Sequence, residues 1–259
     1  MLNRKITFAL FILMLISLWY GYEGLSAQPE LIARWPLDEG SGNAVQDVIG
    51  GNDGKRVGGP EWVEAKFESG LQFNKKTGQY VEIPGADELE PTDSLTVMAW
   101  VNVNSSAGRQ EIFCYADSYD ILINNGVFKA YIHQGGAFPR APGKTPVETN
   151  RWYFLAMTYD GKDLKLYVNG KLDGSAKLPG GIQFLTLPLR FSNNPAAPNE
   201  AWGISGILDE VELWDKPMTK EEIMEAYESP LYFLAVSSKG KLTTIWGSIK
   251  IHYAYQLRE

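Results

Sequence analysis

The sequence predicts an all-β fold: a two-sheet antiparallel sandwich with one short helix near its C-terminal end. Three observations lead there. Apolar residues recur with a period of two rather than 3.6. Asn-Gly and Asp-Gly pairs separate the apolar runs, supplying the positive φ angles that tight hairpins need. Only one helix signature follows about a dozen strand candidates spaced with turns between them, and that spacing suits a sandwich.

Taken in order, the strand candidates are Leu31–Trp35, 71–73, Tyr80–Ile83, Leu95–Val103, 112–115, 121–123, 127–133, Trp152–Tyr159, 164–168, 187–191 and 203–214. Leu95–Val103 has an aliphatic residue at every odd position, and Met98 and Trp100 at even ones, so it reads as a strand covered on both faces. Asp160-Gly161 and Asn169-Gly170 cut residues 151–177 into a three-stranded meander. Asn124-Asn125-Gly126 marks another hairpin. The helix begins at Thr219, with Glu222 three residues on in the capping-box pattern. Ile223, Met224 and Tyr227 give it an apolar stripe, and Ser229-Pro230 ends it.

Arg4 and Lys5 precede about 15 apolar residues ending near Tyr20, with Ser26-Ala27 beyond. That is short of the roughly 20 residues of a spanning helix, so residues 1–27 read as a secretory signal, an uncleaved anchor being the alternative. The expected organisation is a signal at 1–27, one domain at 28–230 and a C-terminal extension at 231–259, with no membrane span in the mature chain and a secreted or cell-surface location.

Composition narrows the function. Lys and Arg total 24 against 31 Asp and Glu, a net charge of −7, and there is no long basic run, so a nucleic-acid partner is not expected. One Cys excludes an internal disulfide. Cys114 lies in the apolar run Glu111-Ile112-Phe113-Cys114-Tyr115 and reads as a small buried hydrophobe. Two distant His residues, His133 and His252, argue against a histidine-based relay or metal cluster. No nucleophile elbow, phosphate loop, zinc-type spacing or dinucleotide fingerprint is present, so no catalytic residue is assigned.

Three stretches carry a family resemblance. They are Trp152-Tyr153-Phe154-Leu155-Ala156-Met157-Thr158-Tyr159-Asp160-Gly161 with Leu164-Lys165-Leu166-Tyr167-Val168-Asn169-Gly170, Gly206-Ile207-Leu208-Asp209-Glu210-Val211-Glu212-Leu213-Trp214 with the helix after it, and Trp35-Pro36-Leu37-Asp38-Glu39-Gly40-Ser41-Gly42 before Asp47 and Gly51-Asn52-Asp53-Gly54. Together they resemble the bacterial LamG-like, or concanavalin A-like lectin/glucanase, jelly-roll domain over roughly residues 31–228. The resemblance implies a jelly roll, export and a binding or adhesive role, often calcium-stabilised; it implies no reaction. Asn74 stands where relatives commonly carry an acidic residue, and Ile207 breaks the Glu-x-Asp-x-x-Glu pattern of the sandwich glucanases.

Candidate sites follow. Period-two geometry puts Asp209 on the face of Ile207, Val211 and Leu213, where a carboxylate needs donors or a cation. A structural Ca²⁺ held by Asp209, Asp47 and Asn52 is one solution; backbone and aromatic donors are the other. Glu210 and Glu212 read as a solvated outer face. For a glycan, candidate contacts are His133 at a strand end and the loop aromatics Tyr119, Phe138 and Trp202, because sugar faces stack on rings while hydroxyls need polar partners. The expected partner is a glycan or, failing a sugar site, an extracellular protein.

Overall fold

A computed structural model describes residues 31–75, 78–197 and 202–229. The expected signal at 1–27 and extension at 231–259 lie outside the described residues. The strands are β1 (Leu31–Trp35), β2 (Ala44–Val45), β3 (Gly54–Val57), β4 (Glu61–Glu64), β5 (Ser69–Phe73), β6 (Tyr80–Ile83), β7 (Leu95–Val103), β8 (Arg109–Tyr115), β9 (Tyr119–Asn124), β10 (Val127–Ile132), β11 (Arg140–Pro146), β12 (Trp152–Tyr159), β13 (Asp163–Val168), β14 (Lys171–Lys177), β15 (Leu189–Phe191) and β16 (Gly206–Trp214), followed by helix α1 (Lys220–Glu228).

They form two antiparallel sheets, as expected. The first runs β14-β13-β12-β7-β16-β5-β4, with β1 also on β16; the second runs β11-β10-β9-β8-β15-β6-β3-β2. The architecture is a concanavalin A-like jelly roll. The inner faces share one core, with Val97, Ala99, Val101 and Val103 of β7 meeting Phe113, Tyr119, Ile121 and Phe191 of the second sheet. The even residues Met98 and Trp100 face outward, where Ile223 and Ala226 of α1 bury them with Phe154 and Trp214. Tyr227 stacks on Trp100 at 5.7 Å. That cover explains why β7 is apolar on both faces. The helix carries the expected capping box between Thr219 and Glu222.

The Asn125-Gly126 and Asn169-Gly170 turns have positive φ at both residues, the mirror-image geometry favoured in tight hairpins. The Pro- and Gly-rich stretch at 137–146 differs from its loop-like sequence: most of it is β11, an edge strand. Pro142 lacks the N–H a central position would require, and an edge tolerates that. β11 closes the sandwich against β14, where Asp173 accepts from the Lys144 and Thr145 amides and the Thr145 hydroxyl. A Cβ at Gly174 would run into the Pro142 carbonyl, so this approach needs glycine.

The period-two reading fails at β16. The ladder to β7 shifts between Asp209 and Glu212, and Glu210 sits in the bulge at φ 50°. The shift falls where β16 changes partner, from β5 at Gly206–Leu208 to β1 at Val211–Trp214. Leu208, Val211 and Leu213 therefore face the core, and Asp209 faces out opposite Trp100. Glu210 and Glu212 are not solvated either. Both are buried beside Arg34, whose Nη2 lies 2.6 Å from Glu210 Oε2 and whose Nε lies 3.7 Å from Glu212 Oε1.

Candidate functional site

With α1 on the first sheet, attention falls on the outward face of the second. Cross-strand partners there make one row across seven strands: Arg140, Tyr131, Asp120, Cys114, Arg190, Glu82 and Lys55. Residues directly opposite in a ladder share a face, so the row is continuous. Arg190 donates to Glu82 at 2.8 Å and lies over the Tyr80 ring.

Above the β8–β10 part of the row stand rings and guanidinium groups. Phe138 is 40% exposed, stacks on His133 at 4.9 Å and meets Tyr131 edge-on at 5.7 Å. The Arg140 guanidinium lies 6.0 Å from the Tyr131 ring centroid. Arg109 lies 4.2 Å over Trp202 and 5.9 Å from the Tyr131 centroid. Trp202 is held there because its carbonyl accepts from the Glu111 amide, next to a short parallel bridge between Glu111 and Gly203. Arg109 Nε in turn contacts Glu111 Oε1 at 2.5 Å. The Tyr131 hydroxyl donates to Asp117 Oδ1, which also accepts from Asn194 Nδ2. Burial, and then Asp120, raise the Tyr131 hydroxyl, so it remains a donor.

Beneath this layer Glu111 and Asp120 are both wholly buried. Desolvation first, and the Glu111 charge second, push the Asp120 carboxyl well above its ordinary range.

The structure brings three of the four expected contact residues, His133, Phe138 and Trp202, onto one face. It removes the fourth. Tyr119 is not on a loop: it opens β9, is wholly buried, donates its hydroxyl to the Leu89 carbonyl and stacks on Tyr115. Sequence reasoning missed Arg109, Glu111, Asp120, Tyr131 and Arg140. The signal was present in β9 and β10, where Asp120, Leu122 and Asn124 and then Lys129 and Tyr131 alternate with core residues. Cys114 is buried but is no core hydrophobe. The register shift between Glu111 and Phe113 sends Phe113 and Tyr115 inward and Cys114 to the outer face.

Two of the residues expected to hold calcium, Asp47 and Asn52, bond within their own loop. Asp47 Oδ1 accepts from the amides of Arg34, Ile49 and Gly50, and Oδ2 from the Asn52 amide and Nδ2. Asp47 therefore folds its own loop, and Asn52 is one of its donors. Asp209 accepts from the Phe67 amide, with Oδ1 unpartnered. Burial, and then Glu210, push Asp209 up to about 9; burial pushes Glu212 up to about 7. Among the described residues, the acidic, thiol and imidazole groups close enough to share an ion are Cys114, Asp117 and Asp120.

These shifts have a pH consequence. A carboxyl whose folded pKa exceeds its unfolded value binds its proton more tightly when folded, so folding stability falls as pH rises between the two values. The window runs from the ordinary carboxylate range to about 7 for Glu212 and about 9 for Asp209. Urea unfolding is therefore expected to show stability declining from pH 5 to pH 9. Asp209→Asn, which mimics the protonated group, should flatten the decline above pH 7. An unchanged slope in that variant would contradict the assignment.

The chain belongs to the concanavalin A-like lectin/glucanases superfamily, whose family pattern matches residues 75–224. Among solved structures it is similar to the binding domain of Paraclostridial Mosquitocidal Protein 1, with a TM-score of 0.66 and 14% identity, covering 78% of this chain and 52% of that one. It is similar to domain 4 of AbnA, a GH43 extracellular arabinanase from Geobacillus stearothermophilus in complex with arabinotriose, with a TM-score of 0.61 and 16% identity, covering 76% of this chain and 98% of that one. It is also similar to the receptor binding domain of botulinum neurotoxin mosaic serotype C/D, with a TM-score of 0.59 and 15% identity, over 78% and 51%. The chain thus spans about half of the two toxin domains, and at these identities the likeness is one of fold. No curated protein matches the sequence. Among the described residues no helix is long and apolar enough to cross a membrane.

Proposed function

We propose that the protein is an exported, non-catalytic glycan-binding module whose ligand lies across the outer face of the second sheet. The observation that carries this reading is the layer of exposed Phe138 and Arg140 with half-buried Trp202 and Arg109, packed over the buried Tyr131 ring on one face. Rings offer stacking surface to sugar faces, and guanidinium groups donate to hydroxyls or carboxylates. The arabinanase domain, solved with arabinotriose, lends support by fold, as it is matched over nearly its whole length. Export rests on the signal-like residues 1–27.

Binding rather than hydrolysis is favoured by the placement of the acids. Glu111 and Asp120 face each other's charge but are wholly buried, so a glycosidic bond has no path to them without displacing the covering side chains. The test is affinity electrophoresis of the full chain through a panel of neutral and acidic polysaccharides, with product analysis of each. Retardation by at least one, without cleavage, is expected. No retardation by any polysaccharide, or released oligosaccharides, would overturn the reading.

A further inference from the structure

The β8–β9 hairpin holds a second kind of site. Two of its three turn residues, Ala116 and Asp117, take positive φ, 51° and 62°. The hairpin sets Cys114 directly opposite Asp120 on the outer face, and Asp117 reaches back from the turn. The Cys114 Sγ and one carboxylate oxygen from each aspartate lie within 4.8 Å of one another.

An independent observation points to a ligand. Both oxygens of Asp120 lack a hydrogen-bond partner, although the residue has no exposure at all. Glu111 Oε2 is a second buried orphan beside it. A carboxyl left this way is costly, by several kcal/mol on transfer scales. A proton shared between Asp120 and Glu111 satisfies one oxygen of each and leaves the other Asp120 oxygen for a cation. Asp117 is already oriented for such a role, because Tyr131 and Asn194 both donate to its Oδ1 at 2.5 Å. Outer partners of this kind fix metal-ligating carboxylates.

We propose that Cys114, Asp117 and Asp120 bind a divalent transition metal of the zinc class. The thiol decides the class: sulfur selects zinc-like ions over calcium and magnesium, which prefer oxygen alone. At metal–sulfur and metal–oxygen distances near 2.3 and 2.1 Å, tetrahedral ligand atoms stand about 3.5 Å apart. The cluster thus has to contract by about 1.3 Å at most. Metal binding displaces the thiol proton, which burial otherwise holds in place. The thiolate and two carboxylates carry three negative charges, the ion supplies two positive ones, and the Arg109 charge acts on Asp120 from beside the cluster. The site is independent of the glycan reading and would stand if that reading failed.

Cobalt(II) tests it directly. Cys114 is the chain's single cysteine, so a thiolate-to-cobalt charge-transfer band in the near ultraviolet can arise only there. Metal-free full chain titrated with Co²⁺ is expected to develop that band to one equivalent, and Zn²⁺ should abolish it while raising the Tm. Cys114→Ala and Asp120→Asn should both lose the band yet keep the metal-free circular dichroism of the parent. Asp117→Asn should weaken binding at least tenfold. No band in the unsubstituted protein, which needs no variant to fold, would overturn the proposal. So would a band persisting unchanged in a folded Asp120→Asn.

Discussion

Arg34→Met is expected to cost about 3–5 kcal/mol of folding stability, the range for breaking a buried ion pair from one side. Arg34 is buried in β1, where it bonds Glu210 at 2.6 Å and reaches Glu212 at 3.7 Å. Removing it leaves two buried carboxylates with no cation. For a domain of this size the loss corresponds to a fall in Tm of roughly 6–20 °C. Burial has already raised both groups despite Arg34. Without it they rise further and take up protons at acidic pH, so the penalty should shrink at pH 5 and be largest at pH 8. Urea unfolding at the two pH values measures this. A deficit below about 1 kcal/mol at both would mean that the pair contributes little, as surface pairs do.

Trp35→Ala is the second large effect, also about 3–5 kcal/mol. Trp35 is wholly buried in β1 and meets Phe191 of the opposite sheet edge-on at 5.3 Å. Its Nε1–H donates to the Asn52 carbonyl at 3.0 Å, fixing the loop after β2. The truncation empties a volume bridging the two sheets and orphans that carbonyl. Thermal unfolding should show a cooperative transition at much lower temperature. A loss under 1 kcal/mol would show that the sheets collapse onto the gap. Trp35→Phe, which keeps most of the ring but not the N–H, is expected to fall between the two.

Both residues belong to motifs visible in the sequence, and the fold was largely legible there. Periodicity and Asn-Gly turns located the meander, β7 and the capped helix, because those elements have regular ladders and standard turns. What escaped were places where the ladder is irregular. One bulge at Glu210 reversed the face assigned to Asp209, cover by Arg34 buried Glu210 and Glu212, and another bulge before Phe113 turned Cys114 from the core to the outer surface. A strict period of two cannot register an extra residue. β11 escaped because its prolines and glycine read as loop, although an edge strand accepts them. Of the candidate site, His133, Phe138 and Trp202 were legible as aromatic or polar residues near strand ends and loops. Tyr131, Arg109 and Asp120 were not, since strand pairing across three strands brings them together. Asp47 looked like a metal ligand for a physical reason: a carboxylate in a Gly-rich loop serves as well for five backbone and amide donors as for a cation.

Isothermal titration of a retained glycan against the full chain and two variants, Phe138→Ala and Arg140→Ala, tests the binding face most directly. Both side chains are exposed, so melting temperatures should stay close to that of the parent. Each variant is expected to bind at least tenfold more weakly, equivalent to a loss of about 1.4 kcal/mol. Undiminished affinity in both variants, with folding intact, would place the ligand elsewhere and contradict the account.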